Sequence, residues 1–216
     1  MKRILFFGLT ALLAVGVSAQ PKEKKEEKKS IPVVALKADA APLELAKAAL
    51  LAHGGDKFKN MKSLVVRGTA DVSGSPTQTI PATFDFITKG EKYRIDIKNP
   101  FQPLKQVYDG EQTNSSMPNF SFPPLNRIGL ALLPKIGEKD YTVTALEDKK
   151  KKYAFRITSP EGYYTDFFLD EKTGQVKSYQ SSFDVGGRTV TTAVDFDKFR
   201  EVECVFVTEK YLQRFE

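Results

Sequence analysis

The chain has 216 residues, 41% apolar and 28% charged, with a formal charge of +6 at pH 7; that length suits one core-forming domain and is short for two. Two of the positive charges, Lys2 and Arg3, sit at the N-terminus, which leaves the rest of the chain at +4, too little to argue for a nucleic-acid partner. A single cysteine, Cys204, and a single histidine, His53, exclude an intramolecular disulfide, a thiolate cluster and a His-rich metal site.

Met1-Lys2-Arg3 precede an unbroken run of apolar and small residues from Ile4 to Val17, and Val17-Ser18-Ala19 leads to polar Gln20. A charged start, an apolar middle and a small-residue cleavage site read as a secretory signal peptide over residues 1–19. The run is shorter than the roughly 20 residues of a spanning helix, so cleavage before Gln20 is expected over an uncleaved anchor. No cysteine follows it to take a lipid, so a periplasmic or secreted protein is expected that is not itself a lipoprotein. Lys and Glu dominate Pro21 to Ser30, and residues 20–37 read as a charged flexible linker, with Ile31 to Ala38 undecided.

One domain is expected over residues 38–216. Asp39 can cap a helix with Pro42 in its first turn; Leu43, Ala46 and Leu50 share one side, with Leu45 and Ala49 adjoining, and Gly54-Gly55 end it. Asp56 can cap a further turn through Lys57 to Met61. The period then becomes two. Tyr93, Ile95 and Ile97 alternate with Lys92, Arg94, Asp96 and Lys98, and similar alternation marks Ile80 to Phe86, Tyr141 to Ala145 and Tyr153 to Ile157. Further strands are expected over about Gly162 to Leu169, Gln175 to Phe183, Arg188 to Phe196 and Val202 to Tyr211. Lys89-Gly90, Asp109-Gly110, Asp170 to Gly174 and Gly186-Gly187 supply turns at intervals of about ten residues. Pro123-Pro124 open an apolar segment, Leu125 to Leu133, that reads as a short helix stopped by Pro134 and too greasy to face water. About ten strands, two helical pieces and no βαβ unit predict a mainly β fold with a few helices (α+β). The expected form is a curved antiparallel sheet making a half-open β-barrel, covered by the N-terminal helix and the short apolar helical lid.

The order of motifs supports a more specific expectation. Leu51-Ala52-His53-Gly54-Gly55 ends the helix, and Lys59-Asn60-Met61-Lys62-Ser63-Leu64 leads into a strand with Gly68. Lys92-Tyr93-Arg94-Ile95-Asp96, Val107-Tyr108-Asp109-Gly110 and Phe168-Leu169-Asp170-Glu171-Lys172-Thr173-Gly174 follow. From about Leu43 to the C-terminus the chain resembles the outer-membrane lipoprotein-sorting (LolA/LolB-like) superfamily. The resemblance implies an unclosed barrel whose apolar cavity receives lipid acyl chains, with Leu125 to Leu133 matching the helical lid. The ligand-cavity candidates are Phe84, Phe86, Tyr93, Ile95, Phe120, Phe122, Phe155 and Phe168, and the lid candidates are Leu125, Ile128 and Leu132. For any one aromatic, an ordinary core position is the competing reading.

Catalytic groups are scarce. His53 sits at a helix end, where packing or the negative end of the helix dipole explains it, and no Gly-x-Ser-x-Gly elbow exists. Asp195 and Asp197 share a strand face and read as the wet side of a strand rather than an acid/base pair or calcium site. Asn114-Ser115-Ser116 and Asn119-Phe120-Ser121 satisfy the glycosylation rule, and Cys204, in an apolar run, is expected to be buried and inert. No catalytic residue, metal or cofactor is expected. The expectation is a periplasmic carrier of a lipid or of lipoprotein acyl chains, present as a monomer, with an inner- or outer-membrane protein as a second partner. The alternative is an envelope scaffold or protein-binding module with a filled core and no lipid cargo; a secreted hydrolase using Asp195 and Asp197 ranks below both.

Overall fold

Proline and glycine set the limits of the first helix. In the computed structural model, residues 36–37, 40–75, 78–117, 121–122, 124–148, 152–185 and 188–215 are described, all within the unit Ile31–Glu216. The expected signal peptide, Asp39, Asn119, Phe120, Pro123 and Gly186-Gly187 lie outside these residues. Helix α1 spans Pro42–Ala52, with Pro42 at its start and Ala41 as N-cap; the N–H that proline lacks has no helical acceptor there. The buried face is Leu45, Ala46, Ala49 and Ala52, turned from the expected one, and Leu43 is 42% exposed. Small alanines at a three-residue spacing let the helix approach its neighbours closely, which the leucines on the expected face would prevent. Gly54 and Gly55 follow with φ of 119° and 55°. A Cβ on Gly54 would lie 2.6 Å from the Cys204 carbonyl oxygen, so conformation and close approach both require glycine. Helix α2 is a single turn, Asp56–Lys59, in which Gly55 is the N-cap and Asp56 the first residue rather than the cap.

The remaining chain is a meander in two antiparallel sheets. The N-terminal sheet has the order β1-β2-β3-β4-β5, with β1 Ser63–Ser75, β2 Gln78–Lys89, β3 Lys92–Lys98, β4 Leu104–Tyr108 and β5 Thr113–Ser115. The C-terminal sheet has the order β11-β10-β9-β8-β7-β6, with β6 Thr142–Thr144, β7 Ala154–Thr158, β8 Tyr164–Leu169, β9 Val176–Val185, β10 Arg188–Val202 and β11 Val205–Phe215. The β-rich class and the short turns match the expectation. The sheets do not close into a barrel. Every strand pairs with its sequence neighbour except β5 and β6, because the 26 residues numbered 116–141 intervene, far more than a hairpin turn requires.

Two local expectations are corrected here. Leu125 to Leu133 is not an α-helix: turns lead into a 3-10 helix over Gly129–Lys135, with Pro134 inside it. Ile128 is extended and Gly129 has φ 62°, a backbone that cannot start an α-helix, and Pro134 has no N–H to donate to the preceding turn, which helps to keep the helix short. Cys204 is exposed, not buried. Glu203 and Cys204, with φ 51° and 66°, form the two-residue turn between paired Val202 and Val205; the apolar run that suggested a continuous strand folds back on itself there.

The hydrophobic core belongs to the C-terminal sheet. Phe155, Ile157, Phe167, Leu169, Val176 and Val205 pack with Leu45, Ala46 and Ala49 of α1, Phe58 of α2, and Leu132, Leu133 and Ile136 of the segment joining the sheets. Phe155 and Phe167 stack with ring centroids 5.0 Å apart and are fully buried. None of the residues in this cluster, or packed against it, comes from β1 to β5.

Candidate functional site

Strand register puts most of the candidate residues of the N-terminal sheet in adjacent rows. Val66 pairs with Phe86, Phe86 with Ile95, and Ile95 with Gln106; one row over, Gly68 pairs with Phe84, Phe84 with Ile97, and Ile97 with Leu104. Because side chains alternate across a strand, these residues share one face, with Tyr93 and Tyr108 beyond them. The opposite face carries Arg67, Asp85, Arg94 and Lys98, and Asp85 is held by Arg67 at 3.0 Å and Lys98 at 3.2 Å. The Lys98 hydrogen bond, ahead of the other influences, lowers the Asp85 pKa. Phe84, Phe86, Ile95 and Ile97 are half-buried. The Phe84 ring lies over Gly68, where a Cβ would approach it to 3.0 Å.

One end of this face is sealed by polar contacts that the sequence reading missed. Gln106 is fully buried. Its amide donates to Tyr93 Oη at 2.8 Å and to the Phe122 carbonyl at 3.1 Å, and its Oε1 accepts the Phe122 N–H at 2.6 Å and the Ser121 hydroxyl at 3.1 Å. Tyr93 stacks on Tyr108 with centroids 5.7 Å apart, and burial raises its pKa. A glutamine between lysine and valine in a short strand carries no sign, in sequence, of this role.

Residues 121–122 and 124–136 touch both sheets. Phe122 is tied to Gln106 on one side, and its ring lies 6.1 Å from that of Phe215 in β11. Arg127 lies 6.0 Å from the ring centroids of both Tyr108 and Tyr163 and pairs with Glu161 at 3.7 Å. The Gly129 N–H donates to Thr165 Oγ1 at 2.9 Å, and a Cβ on Gly129 would lie 2.6 Å from the Tyr179 ring. Lys135 reaches Glu91 in the β2–β3 turn at 2.8 Å. Of the lid candidates, Leu125 is half-buried in a turn, Ile128 is buried, and Leu132 belongs to the core of the C-terminal sheet at 0% exposure.

The two cavity candidates of the C-terminal sheet do not join the first group. Phe155 is part of the filled core, and Phe168 lies on the other face of that sheet, since it alternates with Phe167 and pairs with Ala154 and Ser178. An open depression of ≈ 440 Å³ lies elsewhere, between Thr69 to Asp71, Pro81 to Thr83 and Lys98 to Pro100.

His53 serves structure. It is fully buried; Nε2 accepts the Val176 N–H at 3.0 Å, its carbonyl accepts the Phe206 N–H at 3.2 Å, and its ring meets Phe199 edge-on at 4.9 Å. The proton therefore sits on Nδ1, which finds no hydrogen-bond partner among the described residues. Burial pushes the His53 pKa down to about 4, with the Phe206 backbone acting in the opposite direction. A neutral ring gains nothing from the helix dipole, so packing explains its place. Asp195 pairs with Arg214 at 2.5 Å and Asp197 with Lys210 at 2.6 Å, all exposed, as on an ordinary wet strand face. Among the described residues no group of three or more His, Cys, Asp or Glu could hold a metal ion. No helix there is long and apolar enough to cross a membrane.

No family model matches the chain, and no curated protein or solved structure is significantly similar to it.

Proposed function

We propose that this is an exported carrier or sensor of a hydrophobic ligand, a lipid or the acyl chains of a lipoprotein, held on the apolar face of the N-terminal sheet. In this reading the two sheets are the walls of a half-open barrel, as in the LolA/LolB-like superfamily, and the role is binding without catalysis. The observation that carries it is the half-buried face of Val66, Phe84, Phe86, Ile95 and Ile97, which lies outside the core cluster. A wide apolar wall with few polar groups suits acyl chains, and its polar end at Gln106, Tyr93 and Tyr108 suits the place where a headgroup begins.

The movable part of the cover is residues 121–122 and 124–128, because Leu132 and Leu133 are fixed in the core. Opening exchanges cover surface for ligand surface, and an exchange of like for like keeps the two states close in energy. The scaffold reading also has an observation in its favour, the filled core of the C-terminal sheet.

The deciding experiment is mass spectrometry of the organic extract from protein purified without detergent, together with titration of a fluorescent long-chain fatty acid. The carrier reading expects a stoichiometric lipid, and Phe86→Asp is expected to lose it and to bind the probe at least roughly ten-fold more weakly. No extracted lipid and no probe binding, or unchanged binding by a folded Phe86→Asp variant, transfers the case to the scaffold.

A further inference from the structure

β1 is the longest run of sheet edge on the N-terminal side, and β2 is the only strand paired with it among the described residues. Among the described residues no strand pairs with its outer edge, and proteins ordinarily protect such an edge with charge, bulges or a partner. The other long edge, β11, is protected: it carries Glu209, Lys210 and Arg214, and its pairing with β10 is broken by irregularities around Lys198. Over Ser63–Ser75, by contrast, the charged side chains are Arg67 and Asp71, and pairing with β2 is regular from Ser63 to Ser73.

We infer that this edge joins two copies of the chain by antiparallel self-pairing of β1 about Thr69. Two-fold pairing of identical strands places residues i and j opposite each other with a constant sum. For a joint that keeps the charged faces of both sheets on the same side, that sum is even. Thr69 is the midpoint of Ser63–Ser75, and a register centred on it keeps Val65 to Ser73, within the regular part of the strand, opposite one another. In that register Arg67 faces Asp71 of the second copy, twice by symmetry. On the other face Val66 meets Val72, which is 39% exposed in the single chain. Sliding the strands so that the centre falls on Arg67 sets two arginines opposite each other. Centring on Asp71 sets two aspartates opposite, and both arrangements are unfavourable. Centring on Gly68 or Ala70 leaves Arg67 opposite Thr69 or Ser73, with no opposite charge to meet, so charge selects the Thr69 register. Arg67 is 73% exposed at its side chain and holds Asp85 through Nε, leaving its terminal nitrogens for the second copy.

The joint makes a continuous ten-stranded sheet from the two five-stranded ones, and the apolar faces run on across it. This departs from the single-copy state expected from the sequence, and it stands whatever the apolar face binds. Strand pairing alone buries less than a standard interface, so dissociation in the micromolar range is expected.

Sedimentation equilibrium of the mature protein tests it, up to concentrations on the order of 100 µM. The wild type is expected to dimerise. Arg67→Glu and Asp71→Arg are each expected to weaken dimerisation roughly ten-fold or more, because every facing pair becomes like-charged. An equimolar mixture of the two variants restores complementary pairs in the heterodimer and is expected to associate like the wild type. Asp71→Arg leaves the Arg67–Asp85 pair intact, so it guards against a folding defect in Arg67→Glu. A monomeric wild type overturns the inference, including the case in which another protein's strand occupies the edge. Undiminished dimerisation of Asp71→Arg, or failure of the mixture to associate when both variants are folded, overturns this register.

Discussion

His53 shows how one buried side chain ties three elements and makes stability depend on pH. Its ring and carbonyl connect the end of α1 to the start of β9 and to β11, and only the neutral ring can accept the Val176 N–H. Its folded pKa of about 4 lies below the ordinary imidazole value of 6.5. The unfolded chain therefore binds a proton that the folded chain refuses. Stability from this residue is full above the unfolded value, falls as pH drops through the window between the two, and levels off below the folded value. Between pH 7 and pH 5 urea denaturation is expected to show a loss of about 2 kcal/mol, and His53→Gln is expected to flatten that slope. Carboxylates such as Asp85, Asp170 and Asp197, whose pKa values are lowered in the fold, add their own losses only at lower pH. An unchanged slope in the variant refutes the assignment.

At the scale of elements, the informative piece is the connection between the sheets. It is held to the N-terminal sheet by Gln106 and to the C-terminal sheet by Gly129 and the buried Leu132 and Leu133. Cutting the first tie loosens one end only. Gln106→Leu removes the acceptor of the Phe122 N–H and one of the donors to its carbonyl, a loss of about 1–3 kcal/mol. Hydrogen exchange in this variant is expected to accelerate at residues 121–128 while β8 and β9 stay protected. Uniform acceleration through both sheets shows instead that Gln106 supports the whole fold. Alternation in β3 made its two faces readable from sequence, whereas the role of Gln106 depends on Phe122, 16 residues away, and no local pattern records it.

On the scale of the whole molecule, the two sheets carry unequal shares of the stability. Phe167 lies in the closed core and Phe86 on the half-buried face. Phe167→Ala is expected to cost about 3–5 kcal/mol, and Phe86→Ala about 1–2 kcal/mol because less area leaves water on folding there. Urea titration of both variants checks this; equal losses refute the difference in packing between the sheets. One sheet is closed on the core, and the apolar face of the other lies outside that core.

The sequence alone determined the features governed by near neighbours. α1 ends at Gly54-Gly55 because a left-handed terminus favours glycine, the β3 strand follows from strict alternation, and Lys89-Gly90 and Asp109-Gly110 turn the chain where expected. Tertiary structure decided what depends on distant residues. The buried face of α1 was set by close approach to β6 and β7, and the turn at Glu203-Cys204 by pairing of Val202 with Val205. The 3-10 form of Gly129–Lys135 goes with the seat of Gly129 against Tyr179 and Thr165. The same distinction separates the aromatics. Composition marked Phe86, Phe155 and Phe168 alike, but only strand order and register place the first on a half-buried face, the second in a filled core and the third on the opposite side of its sheet. Side-chain chemistry is local, and what a face packs against is not.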